Sequence, residues 1–134
     1  MAELAHNIRQ YLGETRLAVF GCTNRDGSSH LTGLWYELRG DRIIMNTGAA
    51  SKKVRNLKRD PRGSVCVIDH NGVRHVTLEG TVTFDDQHVL DDLVSLASRY
   101  AGADAGPTIA HNIAKIPHIT LELSIERVKT FGKI

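Results

Sequence analysis

The stretch from Asn46 to Gly63, NTGAASKKVRNLKRDPRG, gathers positive charge. Lys52 to Arg62 holds six of the 17 lysines and arginines and one of the 15 acids, which leaves 11 basic and 14 acidic residues for the rest of the chain. Gly48 permits a tight turn, Ser51 is a good N-cap, and Asp60-Pro61 ends the helix because a residue before proline avoids the α region. On a helical wheel of about 100° per residue, Val54 and Leu57 share the buried side. Lys52, Arg55 and Arg59 project opposite, and Lys53 and Asn56 lie between, with Lys53 nearest the buried edge. The first turn of a helix presents free N–H groups and the positive end of the dipole, so cations at that end build a phosphate pocket. A plain solvated face has the same spacing, and so does a phosphate-backbone contact to nucleic acid. A formal net charge of +2 is small for a nucleic-acid binder, and no nucleic-acid motif accompanies the patch.

Other reactive residue types give weaker signals. The seven histidines form neither an H-E-x-x-H pattern nor a zinc spacing with cysteine, so no metal site is expected. Cys22 and Cys66 sit inside apolar runs and read as buried thiols. Glu79, on a polar strand face, reads as structural, and Trp35 fits a core position or a cofactor platform equally well. Chain length fits one domain, residues 1–134, and a hydrophobic fraction of 41% supports a packed globule. No apolar run nears the ~20 residues that span a membrane. The polar N-terminus lacks a signal-peptide block, so a cytoplasmic protein is expected.

The elements around the basic stretch are mostly short strands. RLAVFGCT (16–23) is followed by the turn NRDG, then SHLTGLWYEL (29–38). In that strand His30, Thr32, Leu34, Tyr36 and Leu38 point one way, and Leu31, Gly33, Trp35 and Glu37 the other. Both faces carry apolar groups, so both are expected to be covered. Strands follow at 42–47, 63–69, 75–84 and 119–125. Val76, Leu78, Gly80, Val82 and Phe84 form one face of the fifth. Alternation slips after Ile125, which predicts a bulge. A helix is expected over Asp85–Tyr100 and a weaker one over residues 2–12, with AGADAGP (101–107) as loop. Six short strands with hairpin turns predict a small closed barrel in a mainly β chain with helices.

The order NRDGSSHLTGLWYEL, DRIIMNT, SKKVRNLKRDPRGSVCVI and VTLEGTV resembles the pyridoxamine 5'-phosphate oxidase-like family of flavin and deazaflavin oxidoreductases. The element from Lys53 to Arg62 is its most specific part, and ELSIERV (122–128) is similar to the deazaflavin-using branch. The resemblance spans roughly residues 5–131. It implies a six-stranded antiparallel split β-barrel, a homodimer, and a cofactor groove at the subunit interface. The cofactor phosphate would meet Asn46, Thr47, Ser51, Lys52, Lys53 and Asn56. The tricyclic ring would lie against Thr32, Gly33, Leu34 and Trp35, and the partner subunit would contribute the strand near Arg74 and His75. Coenzyme F420, with an acidic tail suited to Lys52, Arg55 and Lys58, is favoured over FMN. The C-terminal segment that pyridoxamine-phosphate oxidases proper use for pyridoxal phosphate is lacking, which argues against that substrate. No histidine stands out as a haem ligand. The reading is hydride transfer to a small organic substrate, with a non-catalytic cofactor carrier as the other outcome. Tyr36 and His75 are the candidates for protonation, and sequence does not choose between them.

Overall fold

The computed structural model describes residues 3–134. Seven strands form one antiparallel sheet in the order β2-β1-β5-β6-β7-β4-β3. These are β1 Ala18–Thr23, β2 Ser29–Leu34, β3 Glu37–Arg39, β4 Arg42–Gly48, β5 Arg62–Ile68, β6 His75–Asp85 and β7 His118–Phe131. The helices are α1 His6–Gly13, α2 Lys52–Arg59, α3 Val89–Ala101 and α4 Gly106–Ile113. Residue 2 of the predicted first helix lies outside the described residues.

The sheet coils without closing. Its two edges, β2 and β3, do not pair, although only Trp35 and Tyr36 separate them in the chain. The single strand expected over 29–38 is therefore two, and the closed barrel is an open one. Tyrosine chemistry explains the break. The Tyr36 N–H donates to the Tyr100 hydroxyl at 3.2 Å instead of to a strand. The Tyr36 hydroxyl, fully buried, donates to the Leu12 carbonyl at 2.8 Å, and Trp35 stacks on Tyr100 with centroids 5.3 Å apart. Side-chain anchoring replaces ladder bonds at this corner, and it ties β2 and β3 to α1 and α3.

The barrel core is built from the alternating faces the sequence displays: Phe20, Ile43, Met45, Val65, Leu78 and Leu123 are each at most 1% exposed. β6 buries Val76, Leu78, Gly80 and Val82. The predicted bulge is present, because Glu79 pairs with Arg127 while Gly80 pairs with Ile125, leaving Glu126 unopposed.

Two expectations change at the helices. α3 starts at Val89, because the Asp85 carboxylate accepts from the Gln87 N–H at 2.7 Å and contacts His88 Nδ1 at 2.9 Å, forming a turn. α4 begins inside the stretch expected to be loop, with Pro107 in its first turn. Leu93, Ala97 and Ala110 join the two helices into a small second core, with Trp35, Ile109 and Ile113 against it. Among the described residues, no helix is long and apolar enough to cross a membrane.

Candidate functional site

β4 delivers the chain to the start of α2. The Ser51 N–H donates to the Gly48 carbonyl at 3.0 Å, and Ser51 Oγ accepts from the Val54 N–H at 3.4 Å, so Ser51 caps the helix. Thr47 Oγ1 donates to Ser51 Oγ at 3.3 Å. Val54 and Leu57 seat the helix on the barrel.

Lys53 turns inward from this helix start. Its Nζ donates to Thr32 Oγ1 at 3.1 Å, linking α2 to β2. The side chain is half-buried, and among the described residues no carboxylate pairs with it. Burial pulls its pKa below the usual lysine value, with the neighbouring Cys22 pulling weakly upward. An anion at the Ser51 cap would supply the missing counter-charge.

Lys52 goes elsewhere. It lines an open cleft of about 500 Å³ with Arg25, Arg55 and Arg59, between the outer face of α2 and the β1–β2 turn. Two arginines here also hold the framework. Arg55 Nη1 donates to the Ala50 carbonyl at 2.7 Å, and Arg59 Nη2 donates to the Thr23 carbonyl and to Asn56 Oδ1. Asn56 is fully buried rather than lateral. Its Nδ2 donates to Asn24 Oδ1 at 3.0 Å and to Cys22 Sγ at 3.6 Å, so the amide nitrogen ties α2 to the β1–β2 hairpin. Cys22 is buried as expected, whereas Cys66 is only partly so; both are free.

Gly33, Leu34, Trp35 and Asn46 meet at a cavity of about 310 Å³, walled on its far side by Leu93, Leu96, Ile113 and His118. Asn46 Nδ2 donates to Thr120 Oγ1 at 3.4 Å, and Asn46 Oδ1 is closed off from water with no partner. His118 Nδ1 donates to the Ile116 carbonyl at 2.6 Å. The apolar face of α3 was legible from its periodicity. His118, Thr120 and the α4 wall carried no sequence signal.

Arg74 and His75 are not brought to this cavity within one chain. Asn46 is in register with Thr120, and Thr120 with Asp85, at one end of β6; His75 begins the other end. Ten residues of strand separate them, about 33 Å at 3.3 Å per residue. Arg74 Nε donates to Asp69 Oδ2 at 2.5 Å, and His75 stacks on Phe131 at 5.0 Å. Of the two protonation candidates, Tyr36 is 0% exposed and burial pushes its hydroxyl pKa up to about 12, so it does not serve the cavity.

The sequence pattern of the pyridoxamine 5'-phosphate oxidase family matches residues 4–132. The chain belongs to that family. Solved structures agree on a family split β-barrel. A conserved hypothetical protein of Mycobacterium tuberculosis, Rv2991, superposes with a TM-score of 0.80 at 25% identity, over 98% of this chain and 88% of that one. A structure described as an F420 reductase gives 0.79 at 17% identity, over 94% and 98%. The haem storage protein HutZ of Vibrio cholerae gives 0.72 at 13% identity, over 98% of both. No curated protein sequence matches. The same barrel thus occurs in proteins described by different cofactors, and the cofactor must be argued from this chain's side chains.

Proposed function

We propose that this chain is an oxidoreductase that holds a phosphate-bearing deazaflavin, coenzyme F420 in preference to FMN, and delivers hydride to a small organic molecule. The observation that carries the reading is Lys53: a half-buried cation with no carboxylate partner among the described residues, set on Thr32 beside the Ser51 cap. These residues fit a phosphate, and the strand that continues from Thr32 leads directly to the Gly33–Trp35 wall of an apolar cavity. Thr47, Ser51 and Lys53 would hold the phosphate. Gly33 leaves β2 flat enough for a ring to approach, and Trp35 is held in place by its stack on Tyr100. Such a cofactor supplies the hydride chemistry, while the protein supplies binding, orientation and exclusion of water. Preference for F420 rests on the open cleft in which Arg25, Lys52, Arg55 and Arg59 outnumber one acid, Asp26, an excess of positive charge that suits an acidic tail. A structural neighbour described as an F420 reductase supports the same choice.

We further propose a homodimer, in which a second copy brings Arg74 and His75 to the groove that they cannot reach within their own chain. Equilibrium dialysis against F420, oxidised and reduced, and against FMN tests the cofactor reading. Tighter binding of F420 is expected. FMN binding alone would move the assignment to an FMN enzyme of the same fold, and binding without substrate turnover would make the chain a carrier. Failure to bind any of them would overturn the reading.

A further inference from the structure

We propose that Lys53 is a modification site: an acyl phosphate that enters the phosphate site in place of the cofactor transfers its acyl group to the Lys53 amine and removes the charge that seats the cofactor. The inference rests on the assignment of a phosphate to Lys53 and adds a way in which that same site is regulated. The surroundings of Lys53 set it apart from the other lysines. Lys52, Lys58, Lys115, Lys129 and Lys133 are all exposed, and Lys53 alone is half-buried. Its Nζ meets one neutral group, Thr32 Oγ1 at 3.1 Å, and no carboxylate among the described residues.

The Lys53–Thr32 contact stands at the rim of the barrel. β2 is an edge strand, unpaired on its outer side, and Thr32 is only partly buried. A small reagent therefore has a route to the amine that a residue in the closed core would not offer. The same half-burial changes the amine itself. An ammonium that loses water and gains no counter-charge gives up its proton more readily, and burial lowers the Lys53 pKa accordingly. The free amine, not the ammonium, is the nucleophile, and desolvation is one of the ways a lysine is activated. A hydrogen bond donated to Thr32 leaves the lone pair of that amine unused.

An acyl phosphate joins the two halves that such a site calls for. Its phosphate suits the Ser51-capped start of α2, and its carbonyl carbon is one oxygen atom away from that phosphate. Holding the phosphate therefore holds the carbonyl beside the amine, which replaces a chance collision by a fixed approach. The Nζ lone pair attacks the carbonyl carbon. The N–C bond forms, the bond from that carbon to the bridging phosphate oxygen breaks, and the amine proton leaves with the phosphate as hydrogenphosphate. Nothing is oxidised or reduced. The product is a neutral amide at residue 53, which offers a phosphate no charge. A bound cofactor phosphate occupies the same place, so modification and cofactor binding exclude one another.

Two reagents that deliver the same acetyl group test this on the unmodified full chain: acetyl phosphate, and the N-hydroxysuccinimide ester of acetic acid, which carries no phosphate. Peptide mass mapping gives the rate at each lysine. The ester is expected to acetylate the exposed lysines first. Acetyl phosphate is expected to invert that order, with Lys53 roughly tenfold or more ahead of Lys52 and Lys58 on the same helix. Inorganic phosphate should slow the acetyl phosphate reaction at Lys53 and leave the ester pattern unchanged. Lys53 lagging behind the exposed lysines with both reagents would overturn the proposal, and so would Lys53 leading with both, since reactivity would then owe nothing to the phosphate. Dialysis separates this inference from the oxidoreductase reading. Cofactor binding without selective acetylation sinks the modification site alone. Selective acetylation without any cofactor binding sinks the oxidoreductase reading and leaves the modification site standing. Where both hold, F420 or FMN should protect Lys53, and the acetylated chain should bind the cofactor at least tenfold more weakly.

Discussion

Lys53 and Lys58 stand on the same short helix and should behave oppositely. Lys53 is half-buried on Thr32, whereas Lys58 is exposed on the last turn. Lys53→Ala should weaken cofactor binding by about 1.5–3 kcal/mol, the scale of a hydrogen bond to a charged group. Lys58→Ala should change it little, because Lys58, expected to serve the acidic tail, lies outside the cleft lined by Lys52 and Arg55, and its exposed charge is screened. Calorimetric titration of both variants checks this; equal losses would point to diffuse attraction. The wheel read Lys53 correctly because a single turn of helix fixes its direction. It misplaced Asn56, whose burial depends on Asn24 and Cys22 from a distant hairpin. Tyr36 makes a different kind of prediction. Burial raises its pKa from 10.0 to about 12, so the native state keeps a proton that the unfolded chain releases. The unfolded state then binds fewer protons, and stability falls as pH rises from about 10 to about 12. Tyr11 and Tyr100 are raised in the same direction and steepen the fall. Urea unfolding at about pH 8 and about pH 11 should show a smaller alkaline loss for Tyr36→Phe than for the parent. An unchanged loss would mean that Tyr36 does not couple to folding.

Among the elements, α4 was least visible in the sequence, and it supplies Ile113 to the cavity wall beside Leu93 and Leu96 of α3. Strands β5, β6 and β7 announced themselves by alternation, since one face of each meets the core, whereas β4 is an apolar run with Ile43, Ile44 and Met45 all buried. α4 is eight residues long, begins after GADAG, and exists because α3 is there to receive it. Propensity alone does not mark so short a helix. Its closest approach is at Gly106, where an added Cβ would lie 2.5 Å from Ser98 Cα and 2.2 Å from Ser98 Oγ. Gly106→Ala should therefore push the helices apart and cost about 1–3 kcal/mol, as overpacking does. Gly48, whose added Cβ would meet nothing within 4 Å, is the control, and Gly48→Ala should stay within about 0.5 kcal/mol of the parent. Denaturant midpoints decide between them. The break between β2 and β3 was hidden for a related reason: SHLTGLWYEL alternates without a fault, and only the hydroxyl of Tyr100, 64 residues away, takes the Tyr36 N–H out of the ladder.

At the scale of the molecule, the outer face of the sheet is unfinished in a single chain. Leu31 on edge strand β2 is 65% exposed and Leu17, just before β1, is 71% exposed. Both faces of the 29–38 stretch carry apolar groups, and one chain covers only the inner one. Leu31 also lies over Gly21, where an added Cβ would come within 3.1 Å of its Cδ2, so this part of the sheet is low and flat. A second copy seated here would cover these residues and could carry its own Arg74 and His75 toward the groove. A standard interface needs about 800 Å² from each partner. Sedimentation at low micromolar concentration should then give about twice the 14.8 kDa chain mass. Leu31→Glu should shift the protein toward monomer by placing a charge where water is excluded. If the groove is completed across the interface, cofactor affinity should fall in parallel with dimer content as Leu31→Glu is diluted, although residue 31 lies one position before the Thr32 that meets Lys53. A parent protein that sediments as a folded monomer, or a monomeric Leu31→Glu variant that binds cofactor as tightly as the parent, would show that one chain makes the whole site.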